Sequence, residues 1–418
     1  MTEAARPARC LPWRAVVIAL VLVAFLVPRV GLMVLVPQVP ESDALAYLAM
    51  ARALAGGEAM RDTFGQIAFY SAGYPMLLGG AFALFGDGLA VAQGVNLLLG
   101  IATMALTVRI VGQLGGGSAA QALAAASHAL WIPAAFATGL VAKENLTTPL
   151  LLAATSAVMA LAHGPRPLVA ALGGGAAFGF GLVAGGSSAL VGLLFPAALA
   201  LRWRSGGLRP AARAGALAAL GLALAFGPWL AHTHATLGTP VLNTNSGFNL
   251  YLGNNPAATG TFVSIADTPA GPGWHRLLAR QGEHGAAETL RAQALDWIGA
   301  HPGEALRLAG TKLALFWTPN APDAADMARD PLVSALRWLD VAQFVLVVAL
   351  AAAAAIALRK QHPRMGWLLA AIGLFWLLHA AAYVMPRYRE PVMPLVIALA
   401  ALWAGPAMAW WRKRQPLS

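Results

Sequence analysis

Apolar runs broken by short polar turns repeat along the whole chain. Each run of roughly 20 residues is long enough to cross a hydrocarbon core of about 30 Å as a helix. The runs fall near 14–36, 88–110, 119–137, 145–162, 168–184, 187–202, 213–232, 336–358, 366–384 and 391–411. The pattern predicts an all-α polytopic membrane protein with about ten transmembrane helices. Little more than Gly185 and Gly186 separates the fifth run from the sixth.

Two stretches between runs are too long for turns. The chain accordingly divides into the N-terminus and first span (1–36), a first loop (37–87), a transmembrane bundle (88–232), a second loop (233–335) and C-terminal helices (336–418). In the first loop "SDALAYLAMARALAGG" has apolar residues at helical spacing and stops at Gly56 and Gly57. A second apolar piece, "GYPMLLGGAFALFGDG", contains the break at Gly86. Both predict helices lying along the membrane interface against the bundle. The second loop opens with "LNTNSGFNLYLGNNPAATG", rich in turn formers. It continues with two amphipathic patterns, "GAAETLRAQALDWIGAHP" and "EALRLAGTKLALFW". These predict a small cap, not a separate catalytic domain.

Composition agrees with the pattern and adds a sidedness. The 418 residues are 59% hydrophobic and 11% charged, where a soluble domain carries about 25% charged. A net charge of +11 would suggest nucleic acid in a soluble protein. Here the basic residues sit in short segments between spans, so membrane lipids are the expected partners and nucleic acid is not. Arg6, Arg9 and Arg14 precede the first run, and Arg166 follows the fourth. Arg202, Arg204, Arg209 and Arg213 surround the turn after the sixth, Arg359, Lys360 and Arg364 follow the eighth, and Arg412, Lys413 and Arg414 end the chain. All fall on one side if the span count is even, which predicts cytoplasmic termini and two loops facing outward. The first run passes Pro28 without a small-residue cleavage site and reads as an uncleaved span. Cys10 is the single cysteine, so no internal disulfide forms. The chain has no P-loop glycine pattern, which argues against ATP-driven transport.

The candidate chemistry lies at the expected outer edge. Glu41 and Asp43 flank Ser42 where the chain leaves the first span, and Tyr47 follows Asp43 by one helical turn. An acid pair so spaced suits a sugar hydroxyl or a divalent metal ion; Ser42 or Asp43 equally suits a helix N-cap. "MPRYREPVMP" sets Arg387 and Arg389 in the outward turn between the last two spans. Positive charge there runs against the usual bias, and arginine forks suit a phosphate; the alternatives are snorkelling or an ion pair with Glu390.

Arg29 lies within the first span, at a cost unless it faces a cavity or reaches the interface. Lys143 and Glu144 end a turn, either as a local ion pair or as part of the site. His232 and His234 form an HxH, read as interfacial histidines or as metal ligands, His232 being the candidate. Asn249 and Asn254 belong to a group of asparagines suited to sugar hydroxyls or to turns. Lys312 is a candidate phosphate contact, and Tyr74 and Tyr388 are candidate substrate contacts. Asn145-Leu-Thr147 fits a glycosylation sequon at a span boundary, where access is poor.

Taken in order, the first-loop acids, the "GYP" helix, "NLYLGNNPAATG", "AHPGEALRLAGTKLALFW" and the terminal "PRYREPVMP" resemble the GT-C superfamily of polytopic glycosyltransferases. The likeness is to the bacterial branch related to protein O-mannosyltransferases and lipid A aminoarabinose transferases. It implies a polyprenyl-phosphate-linked sugar as donor, used at the periplasmic face of a bacterial inner membrane, with a lipid, glycan or protein acceptor. It also implies that Asp43 is the catalytic carboxylate, with Glu41 as partner or metal ligand, and that Arg387 and Arg389 hold the lipid phosphate. The acids here are split by Ser42, unlike the adjacent pair of the mannosyltransferases, and no long soluble C-terminal domain follows. One carboxylate suffices as general base and guanidinium groups stabilise the departing phosphate, so inversion at the anomeric carbon is expected. The rivals are a secondary transporter or lipid flippase, with its site near the midplane, and a glycan polymerase or ligase, which would not require the acids.

Overall fold

The computed structural model describes residues 13–322 and 330–414, and among them every regular element is helical. Arg6, Arg9 and Cys10 lie outside the described residues. The first span is α1 (Trp13–Leu35), and the first loop folds into α2 (Asp43–Ala55) and α3 (Gly73–Phe85). Next come α4 (Leu89–Gln113) and a broken pair, α5 (Ser118–Ala129) and α6 (Ile132–Gly139), bent by 49°. α7 (Glu144–His163) and α8 (Pro167–Ala184) follow, then a 3-10 stretch that runs into α9 (Leu194–Gly206), then α10 (Leu208–Leu237). The second loop carries α11 (Asn245–Gly253), α12 (Trp274–Ala300) and α13 (Pro302–Phe316). α14 (Pro331–Ala357) and α15 (Met365–Leu378) lead to a 3-10 turn, Pro386–Val392, that runs into α16 (Met393–Ala401) and α17 (Ala404–Arg414).

Eight helical runs are long and apolar enough to cross a membrane, and the bent α5–α6 pair makes a ninth. The run at 366–384 falls short of a tenth, because α15 is only 14 residues long. Its last part unwinds, and the freed carbonyls find partners: Ala380 O accepts from Lys312 Nζ at 3.3 Å and Ala381 O from Asn254 Nδ2 at 2.7 Å. Irregular backbone in a membrane helix bundle requires that kind of compensation. The second loop also differs from its turn-rich reading, since α11 occupies nine residues of that stretch.

The break between α5 and α6 is compensated in the same way. The Gln343 side chain accepts from Ile132 N at 3.0 Å and donates to Leu130 O at 2.9 Å. Arg29, fully buried, donates to the carbonyls of Phe25, Ala129 and His128 and lies 3.7 Å over the Phe25 ring. A cation at the C-terminal end of α5 is the favourable arrangement for free helix carbonyls.

Every residue of α16 is buried, and α7 is the most enclosed span. These two helices form the bundle centre, so the 3-10 turn entering α16 is anchored on a fully buried helix. α8 and α10 meet backbone to backbone. A Cβ on Gly175 would stand 2.1 Å from Ala218 O, and one on Gly221 would stand 2.2 Å from Leu172 O, the close approach that small residues allow between membrane helices.

α4 runs about 36 Å from the wall of the Asp43 cavity at Leu89 to Gln113. At that far end Arg364 donates to Gln113 O at 3.1 Å, and Trp367 Nε1 donates to His163 Nε2 at 3.1 Å. The basic turns at 164–166 and 359–364 therefore share one end of the bundle, and Asp43 lies at the other.

Candidate functional site

Ser42 sets the position of Asp43. It has φ 48°, the only positive φ at a non-glycine among the described residues, and α2 begins at the next residue. Ser42 stands at the N-cap position without making a side-chain cap bond, so the capping account of this stretch is not realised. Backbone strain of this kind is characteristic of positions fixed by their surroundings. One turn on, Tyr47 is buried and meets Tyr70 and Tyr74 edge to face at 5.7 and 5.8 Å. Burial, and then the charges of Asp43 and Glu144, push its phenol well above the ordinary range.

The terminal hairpin reaches this point. Arg387 Nη2 donates to Asp43 Oδ2 at 2.8 Å. Arg387 also lies 5.8 Å over the Tyr388 ring. Arg389 turns the other way: it is buried, donates to the carbonyls of Phe316 and Thr318, and covers the Phe344 ring at 4.0 Å. Glu390 accepts from Trp131 Nε1 at 3.0 Å instead of pairing with a hairpin arginine.

Four cavities meet around these groups. One of about 220 Å³ holds Glu41, Asp43, Tyr47, Glu144 and Arg387. Arg387 is also on the wall of a second, of about 310 Å³, where Arg337, Arg389, Asp340 and Glu390 sit beside apolar side chains such as Leu32, Val36, Ile132 and Phe136. A third, also of about 310 Å³, lies beyond Tyr388 and is lined by Lys143, Glu144, Asn249 and Tyr383 among others. The fourth, of about 50 Å³, has Arg29, His128, Glu144 and Glu390 on an otherwise largely apolar wall. Glu144 borders the first, third and fourth of these. The local Lys143–Glu144 ion pair does not form; among the described residues neither side chain has a hydrogen-bonding partner.

Other candidates sit apart from this junction. Arg29 reaches only the small cavity, and its guanidinium serves the helix break. Lys312 is fully buried and donates to Asn254 Oδ1 at 3.1 Å, while Asn254 Nδ2 bonds Leu250 O and Ala381 O. That knot fastens α13 and α11 to the unwound end of α15; burial lowers the Lys312 ammonium to about 8. Tyr74 is buried and donates to Asn96 Oδ1 at 2.8 Å. His232 is exposed and stacks on Trp229 at 5.5 Å. Asn145 Nδ2 is taken by the carbonyls of Ala137, Leu140 and Ala142. Among the described residues no three His, Cys, Asp or Glu side chains gather as a metal centre.

The sequence reading missed Glu283. Its carboxylate accepts from Ile67 N at 2.9 Å and Ala68 N at 3.1 Å, tying the second loop to the first. Gly282, with φ 68° and ψ 176°, breaks α12 just before it. Burial raises this carboxyl above its ordinary range. Arg337 and Asp340 were missed as well, since they lie inside an otherwise apolar span.

No family model matches the chain, and no curated protein matches it. Among solved structures it is similar to ArnT from Cupriavidus metallidurans bound to undecaprenyl phosphate. That match has a TM-score of 0.47 and 15% identity, covering 94% of this chain and 78% of that chain. The apo form of the same protein gives a TM-score of 0.44 at 13% identity, covering 93% and 76%.

Proposed function

We propose that this chain is a membrane glycosyltransferase that moves a monosaccharide from a polyprenyl phosphate to an acceptor at the outer face. The observation that carries the reading is the Asp43–Arg387 contact at the rim of two cavities. It brings a carboxylate and a guanidinium to one place, and the transfer needs one of each. The Arg387–Arg389 cavity suits a lipid phosphate, with charge at one part of its wall and apolar side chains along the rest.

In this scheme the acceptor hydroxyl attacks the anomeric carbon and its proton goes to Asp43. The bond from that carbon to the phosphate oxygen breaks, and the lipid phosphate leaves with its charge held by Arg387. Attack opposite the phosphate inverts the anomeric centre. Arg29, the charge that favoured a transporter, is committed to helix carbonyls.

The test is purified protein in nanodiscs with a polyprenyl-phosphate sugar and a cell-envelope extract as acceptor, read by mass spectrometry. Wild type is expected to release polyprenyl phosphate and Asp43→Asn to insert normally without doing so. Undiminished transfer by Asp43→Asn would remove Asp43 from the chemistry.

A further inference from the structure

The cavity beyond Tyr388 has a different chemistry from the arginine-lined one. Its volume of about 310 Å³ lies within the range of small-molecule sites. The polar part of its wall is mainly amides and hydroxyls: Asn245 and Asn249 from α11, with Ser71 and Ser187. Its two fully charged side chains, Lys143 and Glu144, have opposite sign. The arginine-lined cavity instead has three guanidinium groups against two carboxylates.

These polar groups are also unspent. Among the described residues, the side chains of Asn245, Asn249, Lys143 and Glu144 make no hydrogen bond or ion pair with the protein. Here several on one wall face the same hollow, while neighbouring Asn254 and Asn255 are fully engaged with backbone carbonyls. Tyr383 and Tyr388, with ring centroids 5.8 Å apart, add aromatic surface to the lining. Amide donors and acceptors beside aromatic faces, with balanced charge, match a ring that presents hydroxyls on its edge and C–H groups on its face.

We infer that this cavity is the acceptor subsite and that it takes an uncharged, hydroxylated sugar headgroup, read by Asn245 and Asn249. The inference rests on the donor reading above, in which the phosphate occupies the arginine-lined cavity. Inversion brings the attacking hydroxyl from the side away from the phosphate, so the acceptor needs a hollow separate from the phosphate's, and this cavity shares no lining residue with the arginine-lined one. Glu144 is on the walls of both this cavity and the Asp43 cavity, so the two are neighbours. A phosphorylated headgroup finds one cation here, with a carboxylate on the adjacent residue.

The test uses saturation-transfer NMR on the full chain in nanodiscs with methyl α-glucoside, methyl α-mannoside and glucose 6-phosphate, and a separate binding assay with undecaprenyl phosphate. At least one neutral glycoside is expected to receive saturation, with glucose 6-phosphate weaker. Asn249→Leu and Asn245→Ala should each weaken glycoside binding about tenfold with undecaprenyl phosphate binding unchanged, which also reports that the variants are folded. No transfer to either glycoside, a preference for glucose 6-phosphate, or glycoside binding untouched by both variants would overturn the assignment. Loss of undecaprenyl phosphate binding by wild type, with glycoside binding intact, would remove the donor reading and leave the sugar site standing.

Discussion

Arg387 Nη2 donates to Asp43 Oδ2 at 2.8 Å, joining residues 344 positions apart in the chain. Both side chains keep contact with solvent, at 46% and 34% exposure, so the pair stabilises the fold by about 1 kcal/mol or less. A contact that weak is open to exchange. Under the proposed transfer, a phosphate that engages Arg387 would release the Asp43 carboxylate next to the reacting carbon and so couple donor binding to the availability of the base.

Arg387→Ala should therefore weaken binding of undecaprenyl phosphate by roughly 10- to 100-fold. Arg387→Lys should recover only part, because the ammonium lacks the planar fork. Affinity unchanged in the alanine variant would place the phosphate elsewhere.

Asp43→Asn should separate binding from turnover. Losing a positioned base costs about 10²- to 10⁴-fold in rate, while donor affinity should hold or rise, since the carboxylate no longer competes for Arg387. Weaker donor binding by this variant would argue against the exchange.

Ser42 pays for the placement of Asp43 with a strained backbone at φ 48°. Ser42→Gly should raise thermal stability by about 1 kcal/mol, and Ser42→Val should lower it. Melting curves in one detergent decide the sign; equal midpoints for all three proteins would mean that the strain is not present.

Lys312 supplies a pH signature. Burial lowers its ammonium to about 8 from 10.5. Between those values the unfolded chain binds a proton that the folded chain does not, so stability rises with pH across that window. Below about pH 8 the cost of the buried charge is fully present. The melting midpoint of wild type relative to Lys312→Met should thus climb from pH 8 to 10; a constant difference would show that Lys312 titrates normally.

Glu283→Ala should loosen the joint between the two loops. It leaves the Ile67 and Ala68 N–H groups without their acceptor, at a cost of about 2–4 kcal/mol. Hydrogen exchange should quicken at these two amides while α7 and α16 stay protected. Unaltered protection at Ile67 and Ala68 would mean that the carboxylate does not hold the first loop.

Much of the architecture was legible in residue order. Apolar length located the spans, glycines marked the end of α2, and helical spacing found α12 and α13, because these depend on local backbone satisfaction and on burial of one face. The run at 366–384 misled for a definite reason: its unwound carbonyls are satisfied by Lys312 and Asn254, which come from the second loop. The asparagines show the same limit, since Asn249 and Asn254 look alike in sequence and only packing engages one and leaves the other facing a cavity.

By itself the sequence determined that this is a polytopic helical protein with acids after the first span and arginines at the start of the last span. Only the tertiary structure decided that Arg387 meets Asp43 while Arg389 turns to the carbonyls after α13, and that Glu144 stands where three cavities join. Hydrophobic length is a property of neighbours along the chain. The direction of a charged side chain is set by whichever distant carbonyl, ring or carboxylate packing brings within reach.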